Sequence, residues 1–417
     1  MNSLKTVFSA LFILFVFFSG IIPAAAQEIT LPDGFKATIF ADNVGRARQI
    51  IVNDNGDVYI MLREPNNGGG VVALRDADKD GQADEIEYFA PFAGTGIDIY
   101  QGYLYVAPDT AVYRYKLTPG ELLPQSQPEP VITGLQEQRQ HAAKPITFDK
   151  DGHLYLNIGG PSNACQESMR SLHSPGLDPC PQLKKHAGIW QFDANKLNQT
   201  LENDSEQYCT GIRHCVAVDY NHSADKLYAV MHGRDQLNTL WPRYYDDQDN
   251  AELPAEEFLL IEKGDDFGWP YCYYDGRQDK KVLAPEYGGD GEKIGRCADA
   301  KDPIMAFPAH WAPNDLIFYT GDQFPKTYKN GAFVAFHGSW NRAPKPQQGY
   351  KVVFVPFDGA YPAGDWQVFA DNFARTEKII STRDAEYRPM GLAQGPDGEL
   401  YITDSQKGRV WKVTYKE

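Results

Sequence analysis

The sequence contains few of the residues that mark several common classes of protein. Its 417 residues include six cysteines, six methionines and nine histidines, with no CxxC pair and no HExxH motif. Structural zinc is therefore a weaker interpretation of the cysteines than disulfide bonding. Basic residues are also scarce, because 40 Lys and Arg stand against 56 Asp and Glu, for a net charge of −16. An acidic chain without a basic stripe repels phosphate backbones, so we expect no nucleic-acid partner.

Long apolar runs are missing everywhere except at the start of the chain. There, Lys5 precedes an apolar run over residues 7–18, and residues 24–26 are all alanine. This pattern is typical of a secretory signal peptide over residues 1–26, cut after Ala26. The run is short for a membrane span, which takes about 20 residues, so an uncleaved anchor is the weaker alternative. We expect a periplasmic or secreted protein with no membrane span after cleavage, and one domain over residues 27–417.

The cysteine content agrees with export to an oxidising compartment. An even number of cysteines in an exported chain favours disulfide bonds, although six cysteines allow 15 connectivities. Proximity along the chain suggests three pairs: Cys165–Cys180, Cys209–Cys215 and Cys272–Cys297. With these pairs formed, no free thiol would remain.

A turn-and-strand pattern recurs six times along the chain. Each copy has a turn with Asp, Asn or Gly, then a strand that alternates apolar and aromatic residues. The strand aromatics of the six copies are Tyr59, Tyr105, Tyr155, Tyr228, Phe333 and Tyr401. A hairpin that recurs at an irregular period predicts an all-β fold, a six-bladed β-propeller with long inter-blade loops. An array of β-sandwiches is the alternative, which the lack of linkers disfavours.

The segment from residue 76 to residue 87 has the spacing of a calcium-binding loop, with Gly81 at its sixth position. The predicted ligands are Asp76, Asp78, Asp80, Gln82, Asp84 and Glu87. A hard divalent cation takes six or more oxygens, and the glycine lets the chain fold around it. Strand-like flanks predict a calcium staple within a blade rather than a helical EF-hand. A solvated acidic turn is the alternative.

Several short motifs follow one another in a fixed order. Residues 163–165 read Asn-Ala-Cys, residues 211–214 Gly-Ile-Arg-His, residues 264–270 Gly-Asp-Asp-Phe-Gly-Trp-Pro, residues 337–342 His-Gly-Ser-Trp-Asn-Arg and residues 387–389 Tyr-Arg-Pro. Together they resemble motifs of the quinoprotein glucose/sorbosone dehydrogenases, closest to the sorbosone branch. The resemblance implies an enzyme that oxidises a sugar or sugar aldehyde by hydride transfer to pyrroloquinoline quinone (PQQ). It also implies calcium beside the cofactor, and a quinone or cytochrome as electron acceptor.

The resemblance implies roles for individual residues. His141 matches the family's catalytic histidine, which takes the sugar hydroxyl proton while hydride passes to the quinone. An imidazole suits this role because its unperturbed pKa lies near neutrality. Arg213 would polarise the quinone oxygens, since a guanidinium keeps its charge in a partly dry pocket. A surface histidine and a salt bridge between blades are the respective alternatives.

Further positions match cofactor and calcium contacts of the family. The expected cofactor contacts are Arg213, His214, His310, Asn341, Arg342 and Arg388. The backbone carbonyls of Gly233 and Arg234 match the family's calcium ligands.

The chain also departs from the family pattern. His214 stands in place of an Asn, Asp266 and Phe267 replace an Asn and a Tyr, and Gly160 replaces an Asp that orients the catalytic histidine. These departures argue against glucose as the substrate. They leave two alternatives, a lactonase-like hydrolase on a calcium-binding propeller and a non-catalytic binding propeller.

Overall fold

The computed structural model describes residues 29–416, so the predicted signal peptide at residues 1–26 lies outside the described residues. Over this part of the chain, the strands form six four-stranded antiparallel sheets and two short two-stranded ribbons. The innermost strands of the six sheets contact one another in cyclic order. The predicted six-bladed, all-β propeller is therefore confirmed. Among the same residues, no helix is long and apolar enough to cross a bilayer.

The first three blades follow strand β1 (Phe35–Ala41), which belongs to the last blade. Blade 1 consists of β2 (Ala47–Val52), β3 (Val58–Asn66), β4 (Gly69–Arg75) and β5 (Glu85–Phe89). Blade 2 consists of β6 (Gly94–Tyr100), β7 (Tyr103–Pro108), β8 (Val112–Lys116) and β9 (Glu129–Ile132). Blade 3 consists of β10 (Ile146–Phe148), β11 (His153–Ile158), β12 (Gly188–Asp193) and β13 (Glu206–Thr210).

The last three blades carry the two ribbons and two of the three short α-helices. Blade 4 consists of β14 (Cys215–Asn221), β15 (Lys226–Met231), β16 (Glu256–Ile261) and β19 (Met305–Phe307), with the ribbon β17 (Cys272–Asp275) and β18 (Lys280–Leu283). Blade 5 consists of β20 (Pro313–Phe318), β21 (Ala332–Phe336), β22 (Lys351–Val355) and β25 (Gln367–Ala370), with the ribbon β23 (Phe357–Asp358) and β24 (Tyr361–Pro362). Blade 6 consists of β26 (Pro389–Gln394), β27 (Leu400–Asp404), β28 (Val410–Tyr415) and β1. The helices are α1 (Leu201–Asp204), α2 (Leu237–Leu240) and α3 (Asp247–Glu252).

The ring is closed by strands from the two ends of the described chain. β1 forms the outer edge of blade 6 and pairs only with β28, with Phe35 opposite Tyr415. The repeated aromatics of the second strands join the blades to one another, because their buried hydroxyls donate to carbonyls of the following blade. These bonds run from Tyr59 to Leu122 at 2.9 Å, from Tyr105 to Ala194 at 2.8 Å and from Tyr228 to Ala360 at 2.8 Å.

Two of the three predicted disulfide bonds are present. Cys165–Cys180 closes the long loop between β11 and β12, and Cys272–Cys297 closes the segment between β16 and β19. Both loops were expected to be long and ordered. Each bond joins residues that are close in sequence, which is why spacing alone identified them.

The predicted Cys209–Cys215 bond is wrong, and so is the prediction that no thiol is free. Both residues are buried free thiols. Cys209 pairs with Ile189 in blade 3, whereas Cys215 pairs with Met231 in blade 4. The backbone of each cysteine is thus fixed by a different sheet, a constraint that proximity in sequence does not reveal. Burial raises the pKa of both thiols.

Candidate functional site

One end of the propeller collects most of the predicted site residues. Each innermost strand begins at this end and each second strand returns to it, because neighbouring strands are antiparallel. The loops over residues 159–187, 232–255, 337–350 and 371–388 also lie here. We call this end the loop face. His141, Arg213, His310 and Arg388 all lie shortly before an innermost strand and therefore lie at the loop face.

His141 is a partly buried residue just before β10, with left-handed backbone at φ 55°. Its Nδ1 lies 2.5 Å from the carbonyl oxygen of Gly160. A carbonyl only accepts, so Nδ1 carries the proton and Nε2 is the basic nitrogen. Burial, followed by the charge of Arg213, holds the pKa of His141 well below its usual value. The imidazole is therefore neutral, and a backbone carbonyl orients it.

Close packing against Trp269 requires glycine at position 160. A β-carbon at this position would lie 2.7 Å from the ring of Trp269. The Trp269 ring is itself fixed, because its Nε1 donates to the carbonyl of Asn163 at 3.0 Å. The Gly160 amide donates to the carbonyl of Arg213 at 2.7 Å. The carbonyl that orients His141 is thus held between two neighbouring blades.

The segment that carries His141 is held by Gln138. The two N–H groups of the Gln138 side-chain amide share three backbone carbonyls within hydrogen-bond distance of Nε2, those of Gln140 at 2.8 Å, His141 at 2.9 Å and Gly159 at 3.1 Å. These bonds join the segment before β10 to the end of β11. The left-handed turn at His141 is therefore fixed from two sides.

Arg213 is 3% exposed, and its guanidinium is already engaged by protein atoms. Nε donates to the Asn163 carbonyl at 3.1 Å, Nη1 to the Gly233 carbonyl at 2.9 Å, and Nη2 to Asn163 Oδ1 at 3.0 Å and Asp235 Oδ2 at 2.9 Å. Asp235 also accepts from Arg170 at 2.7 Å. Burial acts to raise the pKa of Asp235, but the charges of Arg213 and Arg170 bring it below its ordinary value. Four of the five guanidinium N–H groups are used, so Arg213 both joins two blades and borders the site.

Three imidazoles form a row at the loop face. The rings of His141 and His214 stack at 4.6 Å and 22°, and His214 contacts His232 at 5.0 Å. The Nε2 of His232 lies 2.7 Å from the Pro313 carbonyl. Burial is the main cause that lowers the pKa of all three, to about 4 for His232. His214 is 9% exposed and its Nδ1 has no hydrogen-bond partner within the described residues, so it offers a polar atom to a ligand.

The six innermost strands surround a central channel, and its mouth lies at the loop face. Arg388, before β26, and His337, after β21, lie at this mouth on the side opposite the three imidazoles. Arg388 Nε donates to the His337 carbonyl at 3.0 Å, and Nη2 lies 2.8 Å from His337 Nδ1 and 2.6 Å from the Gly338 carbonyl. All of these partners are neutral. These contacts hold the guanidinium in place without a close ion pair, while the carboxyl of Asp404, which accepts from the Arg388 amide, also acts on its charge.

Two more cations at the loop face form no close ion pair within the described residues, although the charge of Asp109 acts on both. Arg48 contacts Thr95 Oγ1 at 3.3 Å, and burial together with the charge of Arg63 lowers the pKa of Arg48 to about 10. Lys144 is fully buried, donates to a backbone carbonyl at 2.6 Å, and has a pKa lowered to about 8 by burial. No ion pair within residues 29–416 involves Arg48, Lys144 or Arg388. The mouth of the channel thus gathers positive charge in an acidic protein.

The other three predicted cofactor contacts, His310, Asn341 and Arg342, form a separate buried group, none more than 8% exposed. His310 Nε2 lies 2.8 and 2.9 Å from the carbonyls of residues 250 and 253, and Asn341 Nδ2 lies 3.1 Å from His310 Nδ1. Arg342 Nε donates to the Pro346 carbonyl at 3.1 Å. The structure brings these three residues together. The side chains of His310 and Arg342 bond to backbone carbonyls in and directly after α3.

The predicted calcium loop forms the turn between β4 and β5. Asp76, Asp78 and Asp84 place carboxylate oxygens within 4.8 Å of one another. One oxygen of Asp76 is buried without a hydrogen-bond partner. The remaining predicted ligands are exposed: Asp80, Gln82 and Glu87. The loop therefore gathers three carboxylates at the spacing that one cation needs.

Comparison with known proteins decides the family. A sequence model described as TrAA12-like matches residues 29–416, the whole described length. The chain belongs to the TrAA12-like family.

Relatives of this TrAA12-like chain include an uncharacterised protein of Borreliella burgdorferi, 26% identical over 96% of both chains. The pyrroloquinoline quinone-dependent pyranose dehydrogenase of Coprinopsis cinerea is 31% identical over 170 residues, which are 35% of this chain and 22% of that protein. Among solved structures, the holo form of the PQQ domain of that pyranose dehydrogenase superposes with a TM-score of 0.76 at 20% identity, covering 94% of this chain and 98% of that one. The predicted resemblance to PQQ-dependent sugar dehydrogenases is confirmed at the level of the family.

Sequence reasoning missed five polar residues of this TrAA12-like site: Arg48, Lys144, His232, Asp235 and His337. Each lies at the start of an innermost strand or just after a second strand. The same positions hold His141 and Arg388, which the resemblance did identify. A search for polar side chains at those strand ends would have found the missed residues, because the propeller brings all of these ends to one mouth.

Proposed function

We propose that this protein is an exported, PQQ-dependent dehydrogenase that oxidises a sugar or sugar aldehyde of the aldose or sorbosone type by hydride transfer to PQQ. The observation that carries the proposal is the set of three cations at the loop face that form no close ion pair within the described residues. PQQ has three carboxylates, and carboxylates bind most strongly to arginine and lysine in partly dry sites. Arg48, Lys144 and Arg388 therefore fit such an anion, in a chain whose net charge is −16. The family and the fold support the same conclusion.

His141 is the proposed general base. With Nδ1 donating to the Gly160 carbonyl, Nε2 is unprotonated and available to take the proton of a sugar hydroxyl. Bound PQQ supplies the hydride acceptor. Its carboxylates would also raise the pKa of His141 from its depressed value, because nearby negative charge favours the imidazolium. The depressed pKa of the ligand-free protein is thus compatible with catalysis near neutrality.

Arg213 and His214 are proposed to contact the cofactor beside this base. Arg213 has one guanidinium N–H beyond its four bonds to protein atoms, and His214 has an unsatisfied Nδ1. The carbonyls of Gly233 and Arg234 remain the proposed ligands for a calcium at the cofactor. Because the Gly233 carbonyl accepts from Arg213 at 2.9 Å, only its second lone pair would face a metal.

We also propose that the turn from Asp76 to Glu87 binds calcium as a structural staple of blade 1. Three carboxylates whose oxygens lie within 4.8 Å of one another support this, together with the loop spacing. Export is proposed on two grounds, the disulfides Cys165–Cys180 and Cys272–Cys297 and the amino-terminal pattern. The proposed partners are a small sugar and a quinone or cytochrome that accepts electrons.

The test is PQQ uptake by residues 27–417, followed by absorption spectroscopy in the presence of calcium. Arg48→Met should weaken PQQ binding about 10- to 100-fold, since a hydrogen bond to a charged group contributes about 1.5–3 kcal/mol. Arg46→Met is the matched control, because Arg46 is half exposed and already pairs with Glu64 at 3.7 Å. The control should bind PQQ as the unmodified protein does. Failure of the unmodified protein to take up PQQ would overturn the proposal in favour of a non-catalytic binding propeller.

A further inference from the structure

A second polar site lies inside the propeller, in the part of the central channel away from the loop face. It is a cavity of about 240 Å³ lined by the innermost strands of all six blades. Three aspartates line it, Asp98 from blade 2, Asp219 from blade 4 and Asp315 from blade 5. Neither lysine nor arginine is among the lining residues. The channel thus concentrates carboxyl groups without any permanent positive charge beside them.

Each carboxyl group has a fixed position. Asp98 Oδ1 accepts from its neighbouring amide at 2.7 Å, and Asp219 Oδ2 accepts from the Phe318 amide of the next blade at 2.9 Å. Asp315 Oδ2 accepts from the Leu392 amide at 2.8 Å. Backbone amides therefore orient these side chains, but they do not balance three negative charges.

Gln49 gives independent evidence that the cavity binds a ligand. It is 5% exposed and lines the same cavity. Its Nε2 donates to the Val216 carbonyl at 2.9 Å and to Asp315 Oδ1 at 3.0 Å. Its Oε1 is buried and has no donor within the described residues. A buried acceptor without a donor is rare in native proteins. The unpartnered Oε1 of Gln49 therefore indicates a ligand that this oxygen contacts.

We propose that this cavity binds a divalent cation that prefers oxygen ligands, with calcium as the ion, through Asp98, Asp219 and the Oε1 of Gln49. Asp315 acts as a positioning residue, since it holds the Nε2 of Gln49 and leaves Oε1 to the cation. Carboxylate and amide oxygens with no nitrogen or sulfur ligand are the donor set that calcium takes. Nothing in this site depends on PQQ, so the inference stands apart from the proposed function.

The electrostatics of the cavity support a cation. Burial raises the pKa of Asp98 to about 7 and that of Asp315 to about 8, and it raises the pKa of Asp219 well above its usual value. A bound divalent ion would be the largest charge in the site and would restore the ionised carboxylates. The three carboxyl groups are not gathered within 4.8 Å, as those of Asp76, Asp78 and Asp84 are, so fewer protein oxygens would hold a cation here than in the blade 1 loop. We therefore expect weak binding, with a Kd on the order of 10⁻⁴–10⁻³ M as in extracellular calcium modules.

The test is calorimetric titration of the chelator-treated protein, residues 27–417, with calcium chloride. The double variant Asp98→Asn/Asp219→Asn removes two charges, and each amide oxygen can still accept the backbone hydrogen bond seen here. It should lose this binding event or weaken it at least tenfold. Asp78→Asn, which alters the blade 1 loop, should keep it. Asp54→Asn, at an exposed turn of blade 1, is the matched control and should bind as the unmodified protein does.

Terbium provides a second measurement for the case in which the double variant does not fold. Tyr220 lines the cavity and can sensitise terbium emission. In an Asp78→Asn background, Tyr220→Phe should lower the tyrosine-excited emission severalfold, and added calcium should displace the signal. A double variant with the calcium stoichiometry of Asp54→Asn would overturn the proposal. So would terbium emission that Tyr220→Phe leaves unchanged, because the channel would then hold neutral carboxylic acids and water.

Discussion

The substitution Gly160→Ala should separate the orientation of His141 from the rest of the site. The added β-carbon would lie 2.7, 3.0 and 3.1 Å from three ring atoms of Trp269, whereas ordinary contact begins at 3.4 Å, so the two must separate by about 0.7 Å. Trp269 cannot easily retreat, because its Nε1 and its amide each bond a carbonyl at 3.0 Å and its ring packs on the Cys165–Cys180 disulfide. We therefore expect the backbone at residue 160 to move instead.

That movement displaces the carbonyl that lies 2.5 Å from His141 Nδ1. A displacement approaching 1 Å in a catalytic group costs about 10²-fold in rate, so kcat for dye-linked sugar oxidation should fall about 100-fold. The free energy of unfolding should fall by about 1–3 kcal/mol through overpacking. PQQ affinity should change little, because the cations at the loop face are untouched. The downfield proton NMR signal of the His141 Nδ1–H should shift or disappear.

Gly364→Ala is the matched control, since its β-carbon would meet only Pro356 Cγ, at an ordinary 3.6 Å. This variant should keep both kcat and the NMR signal. If Gly160→Ala folds, binds PQQ and retains kcat within threefold of the unmodified protein, the Gly160 carbonyl does not orient the base. His141 would then owe its position to Gln138 and the backbone turn alone.

Four further results are expected. His141→Ala should leave PQQ binding nearly intact and lower kcat about 10²- to 10⁴-fold, the usual value of general-base catalysis, and unchanged dye-linked oxidation would contradict this assignment. Asp78→Ala should lower the calcium-dependent rise in melting temperature, because a ligand that binds the native state adds stability by mass action; an unchanged rise would leave the loop as an acidic turn. Arg388→Met should raise the Kd for PQQ about 10- to 100-fold, measured by absorbance titration, whereas an unchanged Kd would remove Arg388 from the cofactor site. Thiol titration under denaturing, non-reducing conditions should find two reactive groups, Cys209 and Cys215, and neither should react quickly in the native protein; a count of zero would restore the disulfide.

The sequence predicted the fold well because its evidence is local and repeated. Each copy of the turn-and-strand pattern, such as those around Tyr59 and Tyr401, specifies one hairpin. Six copies without linkers leave few ways to bury their apolar faces other than a ring. The placement of His141 and Arg213 at the loop face was likewise readable, since both lie beside strands that the pattern already located.

The parts of the site that sequence analysis missed depend on contacts between distant segments. Nothing near Lys144 or Arg48 in sequence shows that both meet at one channel mouth, and nothing near Gly160 shows that its carbonyl contacts His141. Cys209 and Cys215 are six residues apart, yet different sheets hold them. Local spacing identifies a disulfide within one loop, but it cannot identify the boundary between two blades.

The pairing of β1 with β28 has a consequence for how the molecule is made. β1 has no strand partner other than β28 within the described residues, so it stays without one until residues 410–415 have been added. The propeller must pass through an open arc with two unpaired edges, and such non-local closure is slow. Removal of the last strand would release β1 and expose β27 together. Loss of residues 410–415 would therefore free β1 from its strand partner, nearly four hundred residues away in sequence, and leave the Thr30–Asp371 bridge as a remaining contact of the amino-terminal segment.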